Sequence, residues 1–306
     1  MLEGVEARAV DQVTISSLGR SLKYEDLAAI NIGPDFFSVG CSSFSGWGSM
    51  TADGHTISGR NFDWTEIPGV FETQYVVVNV PALGSDRLGF VHIIWPGVIG
   101  CFTAMNEDGV TLNINDTNGY EPTETDGFHP RILIYREVIE SAHDETAFSE
   151  AEDVLKSRIT STPQNLMITI PHNNGNICSV VFEYDGSLSI DNGVTVREPD
   201  PDKSYQICTN HCRERKDPVP CDRYTLLNAQ LESIAANGGE INLTHEKTWE
   251  LLDAVAVNDP THHRVVFEPN QKLMHIALSV AEPAPLYDAV TLNISELLDG
   301  TFNTNQ

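Results

Sequence analysis

The stretch from Ser38 to Trp64 constrains the fold more than any other part of the chain, because it combines a hairpin pattern with a cysteine at a strand start. Residues 42–51 and 55–62 read as two extended segments, and Ala52-Asp53-Gly54 between them is typical of a β-turn. Cys41 stands directly before the first segment and follows a glycine. The chain is therefore predicted to hold Cys41 at the end of a hairpin, beside the residues that the second strand brings back.

The returning strand carries Arg60 and Asp63, three positions apart. Because a hairpin leads the chain back past its own start, both side chains are expected to approach Cys41 across the ladder. A guanidinium beside the sulfur favours the thiolate. Asp63 is suited to orient an α-amino group on Cys41. Taken alone, the same two residues are also compatible with an ordinary surface ion pair.

This arrangement suits a cysteine that becomes the first residue of a mature enzyme when the bond between Gly40 and Cys41 is cut. The new α-amino group, with an unperturbed pKa near 8, can take the thiol proton, so no separate histidine is needed. A buried or idle thiol is the alternative for Cys41 considered by itself. The hypothesis divides the chain into a propeptide, residues 1–40, and one catalytic domain, residues 41–306.

Composition limits the partners. The chain has 306 residues, and its 41% hydrophobic content is enough for a sizeable core. A net charge of −26 repels phosphate backbones and anionic membranes, so neither nucleic acid nor a membrane is expected as a partner. No secretory signal is visible, which favours a cytoplasmic location. The sequence leaves open whether the chain forms a homo-oligomer.

The order of predicted elements indicates an α+β fold. Strands are expected in 41–114, in one large antiparallel sheet, and again in 165–209, where 188–191 is one of them. Helices are expected over 130–142, 145–158, 221–237 and 244–257, and a closing hairpin over 264–279. Residues 1–40 read as a helix followed by a linker, and the tail from Pro283 is expected to be peripheral. Two sheets with helices outside give a four-layer αββα sandwich.

Several short segments make the chain similar to a known group of enzymes. They are Cys41-Ser42-Ser43-Phe44, Trp47-Gly48, Thr51-Ala52-Asp53-Gly54 and Gly59-Arg60-Asn61-Phe62-Asp63-Trp64. Together they resemble the start of mature N-terminal-nucleophile (Ntn) hydrolases, and most closely the acyl-coenzyme A:isopenicillin N acyltransferase-like family. The wider group includes choloylglycine hydrolases, penicillin V acylases and acid ceramidase-like amidases. The resemblance implies that Cys41 is both the nucleophile and the residue that cuts the chain.

Three downstream segments extend the resemblance to about Ser279. Asn106, in Ala104-Met105-Asn106-Glu107-Asp108-Gly109, is implied as an oxyanion ligand, although a turn residue is the plainer interpretation. Asn210, in Thr209-Asn210-His211, is implied as the main oxyanion donor. Arg223, in Asp222-Arg223-Tyr224, is implied as an arginine that steadies Cys41 or Asp63.

The resulting prediction is a cysteine Ntn hydrolase that acts on linear amide bonds of a small N-acyl amide or peptide. Transfer of the acyl group to an amine acceptor, and a non-catalytic remnant of the fold, are the alternatives. No cofactor and no metal site are predicted. Cys208, Cys212 and Cys221 are close enough in sequence for a disulfide, but free thiols are favoured. The basic run at Arg213, Arg215 and Lys216 is expected to be a solvated face rather than a site for an acidic group.

Overall fold

A computed structural model describes most of the chain. The described residues are 14–36, 39–64, 71–124, 126–172, 177–237, 241–256, 261–279 and 289–301. The start of the predicted N-terminal helix, including Val13, lies outside them. Within these ranges, no helix has both the length and the apolar composition that crossing a membrane requires.

Two large antiparallel sheets form the centre of the molecule. The six-stranded sheet contains, in spatial order, β12 (Tyr205–Cys208), β3 (Val39–Gly46), β4 (Ile57–Trp64), β13 (Thr261–Glu268), β14 (Leu273–Leu278) and β15 (Val290–Asn293). The seven-stranded sheet contains β11 (Val194–Arg197), β10 (Ser179–Tyr184), β9 (Gln164–Thr169), β8 (Thr111–Asp116), β7 (Thr103–Asn106), β6 (Phe90–Ile94) and β5 (Tyr75–Asn79). A further short pair, β1 (Thr14–Ile15) and β2 (Arg20–Ser21), lies in the N-terminal segment.

Helices cover the sheets. They are α1 (Tyr24–Ile32), α2 (Arg131–Ser141), α3 (Ala147–Lys156), α4 (Asp222–Ala236), α5 (His245–Ala254) and α6 (Ile294–Leu298). Apolar residues of α2 and α3 pack with the seven-stranded sheet, and those of α4 and α5 pack with the six-stranded sheet. A third apolar cluster, which includes Val91, Met105 and Val265, joins strands of the two sheets. This arrangement confirms the predicted αββα sandwich.

The predicted hairpin is present, but its strands stop earlier than expected, because residues 47–56 form a connection that contains a short 3-10 helix, Gly48–Met50. Strands β3 and β4 pair with Cys41 opposite Phe62 and Gly46 opposite Ile57. Gly59 in β4 is required by packing, because a Cβ atom there would lie 2.8 Å from Cγ2 of Thr248 in α5. The close approach of α5 to β4 fixes the outer face of this hairpin, and its other face is turned towards the seven-stranded sheet.

Three expectations about the fold are wrong. The strands of residues 41–114 do not form one sheet, because β3 and β4 belong to the six-stranded sheet while β5 to β8 belong to the other. Short spacing between strands is compatible both with one continuous sheet and with a chain that passes from one sheet to the other. The tail is not peripheral, since β15 pairs with β14 and Ile294 is fully buried. Residues 188–190 form a turn and Asp191 begins a short 3-10 helix, so this segment is not a strand.

Candidate active site

The register of the first hairpin brings the predicted charged residues to Cys41. Asp63 pairs with Gly40, and Arg60 pairs with Ser43, so the two residues lie on either side of Cys41 along the ladder. Nη2 of Arg60 donates to Sγ of Cys41 at 3.5 Å. The bond between Gly40 and Cys41 therefore lies near the start of β3, and Asp63 lies across the strand pair from it.

The Arg60 guanidinium is fully buried and held from several sides. Nη1 donates to the carbonyl oxygen of Ile114 at 2.6 Å, and the guanidinium carbon lies 5.1 Å from the ring centroid of Phe62. These contacts keep a permanent positive charge beside the sulfur, where it stabilises a thiolate relative to a thiol.

Burial opposes that effect while the chain is uncut. Cys41 is completely buried, and desolvation raises the pKa of its thiol to about 11, although the nearby Arg60 charge acts to lower the pKa. At neutral pH the sulfur of the uncut chain is therefore protonated. A weakly ionised, buried thiol reacts slowly with external electrophiles.

This state of Cys41 can be measured by alkylation. If the chain is cut before Cys41, as the sequence predicts, iodoacetamide at pH 7.5 should label the Cys41 peptide of the cut chain at least about tenfold faster than that of the uncut chain, because thiolate content and access control the rate. Peptide mapping by mass spectrometry separates the two forms. Labelling of fully buried Cys178 serves as the control and should be equally slow in both. Equal labelling of Cys41 in the two forms would contradict the description.

Asp63 combines one satisfied and one open oxygen. Oδ1 accepts a hydrogen bond from Oγ1 of Thr261 at 2.7 Å. Oδ2 is buried with no hydrogen-bond partner among the described residues, and it lies 3.9 Å from Nη1 of Arg223. Burial raises the pKa of Asp63 to about 6, while Thr261 and Arg223 act to lower the pKa. The carboxylate that carries this open oxygen lies across the strand pair from Gly40.

Asn210 and Arg223 complete the surroundings of Cys41. The backbone N–H of Cys41 donates to Oδ1 of Asn210 at 2.8 Å, and Nη2 of Arg223 donates to the same oxygen at 2.6 Å. Nη1 of Arg223 donates to the carbonyl oxygen of Cys41 at 2.5 Å and to Oγ of Ser42 at 3.0 Å. Nδ2 of Asn210 donates to the backbone oxygen of Asp116 at 2.8 Å. The backbone of Cys41 is thus fixed through both its N–H and its carbonyl group.

The structure does not bring Asn106 to this site. Its Nδ2 donates to the carbonyl oxygens of Ile139 and Ala142, and its Oδ1 accepts from the N–H groups of Asp108 and Val110. It stands at the turn between β7 and β8, whereas the contacts to Arg60 and Asn210 come from the far end of β8, about 15 Å along the strand. Asn106 closes a turn and anchors the end of α2, so its predicted oxyanion role is not supported.

Three residues that the sequence reasoning missed support the site. Asn115 lies 3.4 Å from Nη1 of Arg60 through Oδ1, Asp116 accepts from Asn210, and Thr261 binds Asp63. The signal available for Asn115 was its position as a polar residue in a strand that also carries Asn113. Thr261 offered no local signal, because it reaches Asp63 only through the pairing of β13 with β4.

An apolar cavity of about 420 Å³ adjoins the start of the hairpin. Trp64, which pairs with Val39, lines it together with Trp95 and Phe102. Ile30 and Pro34 of the N-terminal segment line it as well. The cavity can accept a hydrocarbon or aromatic group two residues from Cys41, and its wall includes part of the predicted propeptide.

The remaining predicted features are the cysteines and the basic run at Arg213, Arg215 and Lys216. All six cysteines are free thiols. Arg215 is not on a solvated face, because it is buried and donates twice to the Asp185 carboxylate at 2.7 Å. The Arg213 guanidinium stacks 3.9 Å from the ring centroid of Tyr224, and Nζ of Lys216 lies 5.0 Å from that of Tyr120.

Comparisons with known proteins agree with this architecture. No curated protein matches the sequence. Among solved structures, an N-acylethanolamine-hydrolyzing acid amidase ortholog from Caenorhabditis elegans is 17% identical with a TM-score of 0.55, and the match covers 75% of this chain and 93% of that one. A mutant of the conjugated bile acid hydrolase from Clostridium perfringens is 12% identical with a TM-score of 0.54, covering 83% and 93%. Penicillin V acylase from Agrobacterium tumefaciens is 16% identical with a TM-score of 0.51, covering 79% and 84%.

These solved structures are Ntn hydrolases with the αββα sandwich, and they establish the fold of this chain. The family model described as "Acyl-coenzyme A:6-aminopenicillanic acid acyl-transferase" matches residues 49–240, which is more than half of the sequence. The match begins after Cys41 and includes Arg60, Asp63, Asn210 and Arg223. The chain therefore belongs to the acyl-coenzyme A:6-aminopenicillanic acid acyl-transferase family and has the Ntn-hydrolase fold.

Proposed function

We propose that the chain cuts itself between Gly40 and Cys41 and then hydrolyses linear amides through a thioester on Cys41. One observation carries the proposal. The backbone nitrogen of Cys41, which would become the free amine, already lies 2.8 Å from Oδ1 of Asn210, while Arg60 contacts the sulfur. Residues 1–40 would be the propeptide and residues 41–306 the catalytic domain. An idle buried thiol has no need of such partners on both its sulfur and its backbone.

The self-cleavage step is an N-to-S acyl shift followed by hydrolysis. The thiol proton leaves as Sγ attacks the Gly40 carbonyl carbon, the C–N bond to Cys41 breaks, and the amine nitrogen takes up a proton. Water then attacks the resulting thioester, which releases a carboxylate on Gly40 and the thiol of Cys41. We assign binding of the new ammonium group to Oδ2 of Asp63, since Asp63 pairs with Gly40 and this oxygen has no hydrogen-bond partner among the described residues.

Turnover would repeat this chemistry on an external amide. The free α-amine accepts the thiol proton, the thiolate attacks the carbonyl carbon, and the resulting α-ammonium gives its proton to the leaving amine as the C–N bond breaks. Water then attacks the thioester, which releases the carboxylic acid and restores the thiol of Cys41. Arg60 stabilises the thiolate, and Arg223 with Asn210 holds the amine end of Cys41 in place. The family resemblance is the basis for assigning oxyanion binding to the side-chain amide of Asn210, whose nitrogen also donates to the backbone oxygen of Asp116.

The substrate proposed is an N-acyl amide with an apolar acyl group. The cavity beside Trp64, Trp95 and Phe102 supports this choice, since it can bury a hydrocarbon or aromatic group next to the nucleophile. The names of the structural relatives refer to amides of this general kind, an N-acylethanolamine, a conjugated bile acid and penicillin V. Water is the proposed acceptor. Transfer to an amine is the second candidate, and the description of the matching family favours it.

The test begins with the state of the chain. Intact mass and N-terminal sequencing after incubation should show a new N-terminus at Cys41. The processed protein is then given N-acyl amides with and without an added amine. Release of free acid without an amine supports hydrolysis, whereas product that forms only with an amine supports transfer. A chain that stays uncut and inactive would instead be the non-catalytic remnant of the fold.

Replacing Asn210 by alanine should reduce kcat by about 10²- to 10³-fold, as loss of an oxyanion donor typically does. The partly buried side chain leaves no large cavity, but the lost hydrogen bonds with Cys41 and Asp116 should lower Tm while the variant stays folded at the assay temperature. Steady-state kinetics and thermal unfolding measure the two effects. Asn118→Ala is the matched control, because Asn118 accepts a hydrogen bond from the N–H of Cys212 and none from Cys41. Equal kinetic losses in both variants would argue against the assigned role.

A further inference from the structure

We infer that His245, Glu268 and His275 form a binding site for a divalent transition metal of the zinc class, separate from the site at Cys41. Each of the three offers one ligand atom, and these atoms lie within 4.8 Å of one another. We refer to the three residues as the His–Glu–His cluster. The sequence predicted no metal site, because the ligands are too far apart in the chain to show a recognisable spacing.

The fold places the three side chains together on one face of the six-stranded sheet. His275 in β14 pairs with Val266 in β13, and Glu268 lies two residues beyond Val266. The side chains of His275, Val266 and Glu268 therefore point to the same side of the sheet. Val266 packs in the apolar cluster shared with α5, and His245 is the first residue of that helix. The cluster therefore joins the start of α5 to the β13–β14 hairpin.

This position is far from the nucleophile. Thr261, the residue of β13 that binds Asp63, is seven positions from Glu268, which is about 20 Å along the strand. A cavity of about 310 Å³ adjoins the cluster and is lined by His245 and Glu268 together with Asp53 and His55 of the first hairpin turn. The cluster is thus open on one side, where water or a small ligand can complete a coordination sphere.

The distances within the cluster are short. Nε2 of His275 lies 2.9 Å from Oε1 of Glu268, and Nδ1 of His245 lies 3.5 Å from the same oxygen. Ligand atoms that share a tetrahedral zinc ion lie about 3.4 Å apart, because each is about 2.1 Å from the metal. The three ligand atoms lie within 4.8 Å of one another, so metal binding would bring them somewhat closer together, with His275 buried and the other two side chains partly exposed. Two imidazoles and one carboxylate are a common ligand set for zinc.

A second residue orients one of the imidazoles. Nδ1 of His275 lies 2.9 Å from Oγ1 of Thr291 in β15. When Nδ1 donates to this hydroxyl, Nε2 keeps its lone pair and faces Glu268. A hydrogen bond to the second ring nitrogen is the usual means by which proteins fix the tautomer of a metal-binding histidine. The chain's net charge of −26 further favours cation binding.

Trp249 supplies an internal reporter. Its indole N–H donates to Nε2 of His245 at 2.8 Å. A metal bound at Nε2 would displace the indole N–H. A metal bound at Nδ1 would leave the ring proton on Nε2, where the imidazole N–H and the indole N–H would oppose each other. Metal binding at either nitrogen therefore breaks the Trp249 hydrogen bond. Removing it by Trp249→Phe should strengthen metal binding, whereas a cluster that serves only as a hydrogen-bond network would show no such gain.

The experiment is a titration of the purified full chain, freed of metal by chelation, with Zn²⁺ by calorimetry and with Co²⁺ by visible absorption. We expect one-to-one binding, a change in tryptophan fluorescence that is lost in Trp249→Phe, and no competition from Mg²⁺. At a hundredfold excess over Kd, bound Zn²⁺ should raise Tm by about 5 °C. Glu268→Gln and His275→Ala should weaken binding by at least about tenfold.

His143→Ala is the matched control, because His143 also lies beside a carboxylate, that of Glu150 at 3.2 Å, but belongs to no such cluster among the described residues. This variant should bind as the unchanged chain does. The proposal is overturned by absence of one-to-one binding, by equal affinity in the cluster variants, or by thiolate charge-transfer bands in the Co²⁺ spectrum, which would assign the metal to cysteine. Circular dichroism of Glu268→Gln confirms that its loss of binding is not loss of fold.

Discussion

Replacing Cys41 by alanine should leave a single uncut chain of 33.7 kDa with no amidase activity. Both reactions need the same sulfur, first against the Gly40 carbonyl and then against the substrate, so both should disappear together. Intact mass spectrometry after long incubation measures the first, and release of product from an N-acyl amide measures the second.

Cys41→Ser provides an intermediate case. A hydroxyl can attack the same carbonyl, but it is a weaker nucleophile than a thiol, so slow cutting is expected. Cys178→Ala, at another fully buried cysteine, should cut and turn over normally even if it loses some stability. Processing or normal turnover in Cys41→Ala would rule out the proposed nucleophile.

Replacing Asp63 by asparagine should slow both self-cleavage and turnover by about a hundredfold or more, a loss typical of removing a positioned acid–base group. The shape is kept, but the open oxygen beside Gly40 is no longer an anionic acceptor for the new amine. Single-turnover cleavage of freshly refolded precursor gives the first rate. Asp53→Asn, in the exposed turn of the same hairpin, is the matched control and should leave both rates unchanged.

The rate of self-cleavage in the unchanged chain should depend on pH through Asp63. The pKa of Asp63 is raised from 3.8 to about 6, so its proton is held more tightly in the folded chain than in the unfolded one. Ionisation of Asp63 therefore lowers stability as pH rises from about 4 to 6, by about 3 kcal/mol for a shift of this size. Cleavage in the unchanged chain should become faster over the pH range near 6, whereas Asp63→Asn should show no such rise.

The Tm of Asp63→Asn distinguishes a loss of catalytic chemistry from misfolding. Asp63→Asn removes a buried charge, so its Tm at pH 7.5 should be at least equal to that of the unchanged chain, with the difference shrinking below pH 4. A variant that is slow but not less stable has lost chemistry and not structure. A slow variant with a much lower Tm would contradict this account.

The parts of the site that lie within one hairpin could be predicted from sequence. The hairpin pattern indicates that the second strand brings Arg60 and Asp63 back past Cys41, but the exact register is set by the ten-residue connection 47–56 and not by the turn at 52–54. Asn210 and Arg223 became predictable only through the family resemblance, since they reach Cys41 across 169 and 182 residues of chain. Periodicity in a single sequence carries no information about such contacts.

The errors have the same origin. Asn106 was assigned from a short motif, but a motif does not tell which end of its hairpin faces the site. Thr261, Asp116 and the His–Glu–His cluster depend on how separate strands pair within the sheets. The division of the first strands between two sheets also escaped prediction, because both outcomes bury the same alternating residues.

The buried arginine of α2 has a consequence for the proposed self-cleavage, because cutting before Cys41 would not by itself release the N-terminal segment. Arg131 donates to the backbone oxygen of Pro34 and to Asp116, whose own backbone oxygen binds Asn210. In addition, the backbone N–H of Arg131 donates to Asp35, and Thr162 donates to the backbone oxygen of Asp35 at 2.9 Å. None of these bonds involves Cys41. Breaking one covalent bond leaves all of them intact, so the severed segment would behave as a bound ligand with its own dissociation rate, and activity would then follow that rate after the cut.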